Sequence, residues 1–194
     1  GDTVILDAKN GNICCNPNKE ELEKYIKDQM RFSKLRYSLE NFKNKPSITK
    51  DGIKFDLMSN VGSYNDVDAA ISCNADGVGL LRSEFLFSSI KELYSEKKQY
   101  ETYRSIFIKM DGMPVTIRLF DFGGDKKLHG LSFPAEENPA LGCRGIRFDF
   151  AHIDILKIQL KALFRASVYG KLSILIPMVS TIEEIHKLNK LIID

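Results

Sequence analysis

From Ile53 onward, the apolar positions of the chain alternate between two rhythms: short runs of strand length, and longer stretches with apolar residues at helical spacing. Phe55-Asp56-Leu57-Met58 predicts a first strand, and Asn65 opens a helix through Ala69, Ala70 and Ile71. Val78 to Leu81 predicts a second strand. Ser95 then caps a helix with Tyr100, Tyr103, Ile106 and Phe107 on its apolar side. Val115 to Leu119 is the third strand. Ile153, Leu156, Leu160, Leu163 and Phe164 form the stripe of an amphipathic helix that ends near Gly170. Leu172 to Ile176 is the fourth strand, and Thr181-Ile182-Glu183-Glu184 is a capping box that starts the last helix. Strands and helices in strict alternation predict parallel pairing.

Before Ile53 the pattern differs. Val4-Ile5-Leu6 and Ile13-Cys14-Cys15 flank Asn10-Gly11, the signature of a two-residue hairpin turn. Asn18 caps a long helix with Glu20 and Glu21 in its first turn, and Asn44-Lys45-Pro46 stops it. Its apolar positions, Leu22, Ile26, Met30, Leu35, Leu39 and Phe42, leave the other faces polar, as in a surface or linker helix. A coiled-coil dimer helix is the rival reading, against which the spacing drifts. A lone hairpin is marginal by itself, so residues 1–17 read as the tail of a preceding domain, 18–46 as a linker and 47–194 as an α/β domain. Four β-α units are too few to close an eight-stranded barrel. If the fold is a barrel, the chain stops about halfway through it, leaving two raw strand edges and an uncovered interior.

Composition narrows the class. With 194 residues, 43% hydrophobic and 28% charged, the chain can bury a core. A formal charge of +2 argues for neither nucleic acid nor an acidic membrane surface as partner. The longest strongly apolar stretch, Leu172 to Val179, is too short to span a bilayer and contains Pro177, so no membrane insertion is expected. The start at Gly-Asp-Thr carries no secretion signal and no initiating Met, which suggests a piece of a longer protein. Cys14, Cys15, Cys73 and Cys143 lack metal-ligand or disulfide spacing and are expected as reduced thiols in the cytoplasm.

Candidate chemistry sits at strand ends. Gly77-Val78-Gly79-Leu80-Leu81-Arg82 and Pro114-Val115-Thr116-Ile117-Arg118 each end in an arginine followed by a turn. The C-terminal ends of parallel strands form the ligand face of such sheets. A guanidinium offers a permanently charged fork that matches carboxylate or phosphate oxygens. Two readings stand for each arginine: an anion ligand, or a strand-end ion pair with a carboxylate such as Glu84 or Asp121. Gly123-Gly124-Asp125-Lys126 reads as an ordinary turn rather than a Walker loop, because no helix-opening GK[ST] follows. Glu136-Glu137-Asn138-Pro139 and Gly142-Cys143-Arg144-Gly145-Ile146-Arg147 read as a solvated loop running into a helix. His129, in a turn, and His152 and His186 lack metal-ligand spacing, and no carboxylate cluster marks a metal site. Cys143 lies in a charged loop with no base placed to activate it.

Four separated segments then become recognisable. GVGLLRSEFLF, TIRLFDFGGDKKL, PAEENPALGCRGIRFD and LKALFRASVYGKLSILIPMVSTIEE resemble enzyme I of the bacterial phosphotransferase system, the phosphoenolpyruvate–protein phosphotransferase family, in order along the whole chain. GGDK with EENP separates this group from its cousins, pyruvate phosphate dikinase and phosphoenolpyruvate synthase. The resemblance implies a phosphohistidine domain joined by a helical linker to a (β/α)8 barrel that binds phosphoenolpyruvate and Mg²⁺. The expected fold is therefore the first half of a TIM-type (β/α)8 barrel, preceded by a helical linker and a short N-terminal β-hairpin. The implied function is transfer of phosphoryl from phosphoenolpyruvate to an enzyme histidine, and on to the carrier protein HPr in sugar uptake, by a cytoplasmic homodimer.

By the same resemblance, Arg82 and Arg118 bind the phosphoenolpyruvate anion, joined by Asn138 and Arg144. The phosphorylated-histidine motif belongs before Gly1. The acidic Mg²⁺ ligands, a further asparagine and arginine, and a proton-donating cysteine that Cys143 does not match belong after Asp194. On that basis the chain by itself is expected not to catalyse phosphotransfer. Two alternatives are a dikinase- or synthase-type relative and a non-catalytic binding or regulatory module.

Overall fold

A computed structural model describes residues 1–193 except 125, 127, 129, 132 and 134. The chain divides into two compact units, Gly1–Pro46 and Ser47–Asp194. In the first, β1 (Val4–Asp7) pairs antiparallel with β2 (Asn12–Cys15), and α1 (Lys19–Glu40) follows. Asn18 caps α1 as expected: its side chain accepts from Glu21 N at 2.9 Å, and the Glu21 carboxylate accepts from Asn18 N at 2.9 Å. The hairpin departs from the expected two-residue turn. Asp7 stands opposite Asn12, which leaves four residues in the loop. The Asp7 carboxylate draws in Asn10 N (3.1 Å) and Asn10 Nδ2 (2.7 Å), so Asn10 closes a side-chain-mediated turn. Gly11 alone then takes the left-handed conformation, at φ +70°. No residue of α1 is buried.

The second unit holds a parallel sheet of β3 (Met58–Val61), β4 (Gly77–Arg82), β5 (Pro114–Arg118) and β6 (Lys171–Leu175). The four strands lie side by side in chain order, β3-β4-β5-β6. Between them run α2 (Tyr64–Ser72), the short α3 (Ile90–Leu93), α4 (Glu96–Met110), α5 (Ile146–Ala151) and α6 (Ile153–Ala166), with α7 (Ile182–Ile193) after β6. The chain is thus a mixed α/β protein with a four-stranded parallel sheet and a separate antiparallel hairpin.

The expected β4, β5, β6, α4 and α7 form within a residue or two of their predicted positions, and α6 ends at Ala166, with a 3-10 turn, Ser167–Tyr169, completing the stretch to Gly170. Ser95 caps α4 through Lys98 N, and Thr181 and Glu184 make the predicted reciprocal cap of α7. Two expectations fail in detail. The first strand starts at Met58 rather than Phe55, because Phe55 N is already bonded to Ser47 O in a local turn where Ile48 pairs with Lys54. Sheet pairing begins only at Met58 opposite Gly77. The second helix is capped by Ser63, not Asn65: Ser63 Oγ accepts from Asp66 N, while the Asp66 carboxylate accepts from Ser63 N and Gly62 N. Neither α3 nor the extent of α5 follows from apolar periodicity, since each is barely a turn or two long.

The core lies between the sheet and its helices. Val61, Val78, Leu81, Val115 and Ile117 meet Tyr103, Ile106 and Phe107 of α4 and Leu156, Leu160 and Leu163 of α6, all buried. We expect Phe107→Ala, which removes a fully buried ring of α4 that packs against Gly170, to destabilise the protein by about 3–5 kcal/mol in urea denaturation. A loss below about 1 kcal/mol would show that α4 is not held by this packing.

Candidate functional site

Two strands that end in the same layer place their last residues side by side. Arg82, at the end of β4, is the register partner of Arg118, at the end of β5. The turns that follow add the rest. A 3-10 turn, Ser83–Phe85, comes directly after Arg82 and presents Glu84. The chain after β5 runs through Asp121 to a reverse turn in which Gly123 N donates to Lys126 O (3.0 Å) and Lys126 N to Gly123 O (3.1 Å). That turn folds Lys126 back over the strand end. Asp125, part of the predicted GGDK turn, and His129, predicted to sit in a turn, lie outside the described residues.

The side chains interlock by charge. The Arg118 guanidinium pairs with Glu84 Oε1 through Nη2 and lies 3.4 Å from Asp121 Oδ2 through Nη1. Lys126 Nζ donates to the same two carboxylates, at 3.1 Å to Glu84 and 2.6 Å to Asp121. Arg144 closes the group: its Nε and Nη2 each lie 3.1 Å from Asp121, in a two-pronged contact. The Glu84 and Asp121 side chains are only 1% and 3% exposed, so both are nearly withdrawn from water. Burial raises the Asp121 pKa, but hydrogen bonds from Arg144 and Lys126 and the Arg118 charge outweigh it and hold the group below its ordinary value.

Arg82 is held differently. Among the described residues it makes no ion pair. Its guanidinium packs over the Phe85 ring at 5.0 Å and lies against the bare Gly62 backbone. A Cβ at Gly62 would stand 2.9 Å from Arg82 Nη2, so glycine leaves the room that the guanidinium fills. Arg82 Nε and Arg118 Nε are both buried without a hydrogen-bond partner among the described residues. Unfilled charged donors at two adjacent strand ends are costly unless something meets them.

The two residues brought in with Arg82 and Arg118 fare unequally. Arg144 joins the cluster through Asp121. Asn138 lies on an exposed turn, where its carbonyl accepts from Leu141 N, and among the described residues no contact ties its side chain to the cluster. The segment expected to be a solvated loop is more than that. Glu136 binds Cys143 N through both oxygens, at 2.9 and 3.2 Å, and Arg147 pins Gly142 O, Met178 O and Ser180 Oγ. Burial and the Glu136 charge push the Cys143 thiol pKa up, which disfavours the reactive thiolate.

One further group behind the cluster escaped the sequence reading. Asp149 on α5 is buried, and among the described residues neither carboxylate oxygen has a hydrogen-bond partner. Burial first, and the Asp121 charge second, push its pKa well above the ordinary carboxylate value. Nothing in the sequence marks it, because an acidic residue in RFDFAHID reads as the polar face of a helix.

Among the described residues, no group of three or more His, Cys, Asp or Glu is placed to hold a metal ion. The two carboxylates nearest the strand ends are already engaged by cations. The Mg²⁺ implied by the resemblance therefore has no ready ligand set in these residues, and no chemical step is assigned to it below. No described helix is long and apolar enough to cross a membrane.

A parallel β/α sheet whose adjacent strand ends gather two guanidinium groups and an ammonium around two buried carboxylates, with the Arg82 guanidinium beside them, carries, among its described side chains, a surplus of positive charge. Such a domain can hold a small polyanion and stabilise charge that develops on it. A model of the family described as PEP-utilising enzyme, PEP-binding domain, matches residues 36–194, and the chain belongs to that family. The whole chain is 40% identical over 194 residues to the phosphoenolpyruvate-protein phosphotransferase of Staphylococcus aureus (strain MSSA476). It is 39% identical over 193 residues to that of Listeria innocua serovar 6a, and 38% over 194 residues to that of Staphylococcus epidermidis. The match covers 34% of each of these relatives, so the chain spans about a third of their length.

The buried carboxyl offers a test of the site's electrostatics. Because its folded-state pKa is raised, Asp149 leaves the fold most stable below about pH 3.9, its ordinary pKa, and lowers stability as pH rises above that value. Asp149→Asn keeps the shape without the ionisation. Measured from pH 4 to pH 8, its melting temperature should start level with the parent and then exceed it by a margin that grows until the folded-state pKa of Asp149 is passed. A constant difference across that range would mean that Asp149 is not held neutral.

Proposed function

We propose that this chain supplies the phosphoenolpyruvate-binding strand ends of a phosphoenolpyruvate–protein phosphotransferase. In the full-length protein, phosphoryl passes from phosphoenolpyruvate to an enzyme histidine and then to HPr. The observation that carries the reading is the pair of register-matched arginines, each with a buried guanidinium N–H that meets no acceptor. Phosphoenolpyruvate carries a phosphate and a carboxylate on a three-carbon frame, a charge density that several fixed cations at one strand edge suit. In the transfer, the bond between phosphorus and the enolate oxygen breaks, and the electron pair stays on that oxygen. Arg82 and Arg118 bind the anion and counter this charge, with Arg144 and Lys126 adding to the field. Asn138 joins by its place in the EENP segment, on a turn that has to move toward the cluster to reach the substrate.

The same reading extends to the architecture. A sheet whose parallel strands run in unbroken chain order, each crossing over through a helix, fits the first half of a (β/α)8 barrel; an open doubly wound sheet reverses its order. We assign residues 1–17 to the tail of a phosphohistidine domain, 18–46 to a helical linker and 47–194 to the barrel half. The acceptor histidine, the Mg²⁺ ligands and the dimer contacts then belong to parts of a cytoplasmic enzyme outside these residues, and the chain by itself is inactive in sugar uptake.

Calorimetric titration with phosphoenolpyruvate, with and without Mg²⁺, tests the site on this chain and on its Arg82→Ala, Arg118→Ala double variant. The expected result is weak, Mg²⁺-independent binding that falls at least about tenfold in the variant. Equal binding by the two folded chains would overturn the assignment of the arginines. No binding by the folded parent would mean that these strand ends need the remainder of the enzyme to form a site.

A further inference from the structure

Beneath the charged cluster runs a line of buried hydrogen bonds that none of the candidate site residues explains. Gln159 on α6 is fully buried. Its Oε1 accepts from Phe120 N at 3.2 Å, and its Nε2 donates to Ser83 Oγ at 3.0 Å and to Tyr103 Oη at 3.1 Å. Ser83 Oγ in turn donates to the Arg118 carbonyl at 2.6 Å. On the far side, Tyr103 Oη donates to Gln99 Oε1 at 3.4 Å, and Gln99 Nε2 donates to the Leu93 carbonyl at 2.7 Å. The direction of the whole line is fixed by one fact: a backbone N–H can only donate, so the Gln159 oxygen must face Phe120 and its nitrogen must face the two hydroxyls.

The two segments that this amide joins are those that carry the clamp on Arg118. Ser83 immediately precedes Glu84, and Phe120 immediately precedes Asp121. A single rigid group, anchored on α6 and braced through Tyr103 against α4, thus spans the backbones after β4 and β5. It holds the two carboxylates at one separation, and Ser83 adds a second tie to Arg118 itself.

We infer that Gln159 is a positioning residue for the anion site: by bridging Ser83 and Phe120 it sets the spacing of Glu84 and Asp121, and through them the orientation of Arg118. The inference rests on the phosphoenolpyruvate reading given above. It needs no contact between Gln159 and the substrate, and from its burial it makes none.

A merely structural glutamine would lower stability without acting through Arg118, and a double-mutant cycle separates the two. In the full-length protein, kcat/KM for phosphoenolpyruvate is followed by pyruvate release with HPr as acceptor. The set comprises Gln159→Met, which keeps the shape and loses the hydrogen bonds, Ser83→Ala, Arg118→Ala and the two pairings with Arg118→Ala. Gln159→Met should lower kcat/KM about tenfold and Ser83→Ala about threefold, with the fold checked by circular dichroism. In the Arg118→Ala background each should cost less than about twofold more. Unchanged kcat/KM in folded Gln159→Met, or the same loss in both backgrounds, would overturn the inference. Should Gln159→Met not fold, the Ser83→Ala cycle decides by the same criterion. An inactive parent, or Arg118→Ala with full activity, would instead bring down the phosphoenolpyruvate reading and this inference with it.

Discussion

Two carboxylates cannot be withdrawn from water at neighbouring strand ends unless cations come with them. An isolated buried carboxylate costs several kcal/mol, and the cost is met only by close, well-aligned partners. Glu84 and Asp121 are buried in this way, and much of the local chain is arranged around them. The turn after β5 folds back to bring Lys126 between them, Arg118 reaches both, and the segment leading into α5 delivers Arg144 to Asp121. Each ion in the group supports another, so no member is a bystander that could be removed without leaving a buried charge exposed to its neighbours.

The two strand-end arginines are therefore equivalent in register and different in physics. Arg118 is fixed by ion pairs, which orient its fork but use part of its charge. Arg82 is fixed by packing, against an aromatic ring and a glycine backbone, and makes no ion pair among the described residues, although its charge, after the hydrogen bond from Gly62 N, helps hold the Asp66 carboxyl below its ordinary value. Sequence set an anion ligand and a strand-end ion pair against each other as readings of both arginines. For Arg118 the ion pair is present, and for Arg82 none forms among the described residues. An ion pair with a buried carboxylate does not compete with an anion for the whole guanidinium, because the fork has five donors and the Arg118 Nε remains unfilled.

The strands and long helices were legible because burial imposes its period on sequence: β4, β5, α4 and α6 face one core and show it. The failures occurred where hydrogen bonding, rather than burial, decided the outcome. The Asp7 side chain lengthened the hairpin loop, the Ser47–Phe55 pairing delayed β3, and the Ser63–Asp66 cap overrode Asn65. The same divide runs through the candidate site. Arg82 and Arg118 were visible because strand ends are predictable. Arg144 was visible only through resemblance, and its contact with Asp121 depends on a loop path that no periodicity encodes. Gln159 and Asp149 were invisible, since a polar residue on an amphipathic helix is ordinarily a solvated one. Only the packing of α5 and α6 turns them inward.

That inward placement explains why two such different polar groups can share one neighbourhood. The Gln159 amide has donors and an acceptor for every direction it faces, so it is buried with its hydrogen bonds made and stiffens the backbone on both sides. Asp149 has no hydrogen-bond donor among the described residues, so burial, and after it the Asp121 charge, raise its pKa and disfavour a third negative charge beside Asp121. Were Asp149 ionised, a third carboxylate would offset the positive surplus that the strand ends carry. Its burial thus acts beside the Gln159 bridge: the bridge fixes where the charges stand, and burial disfavours a further negative one among them.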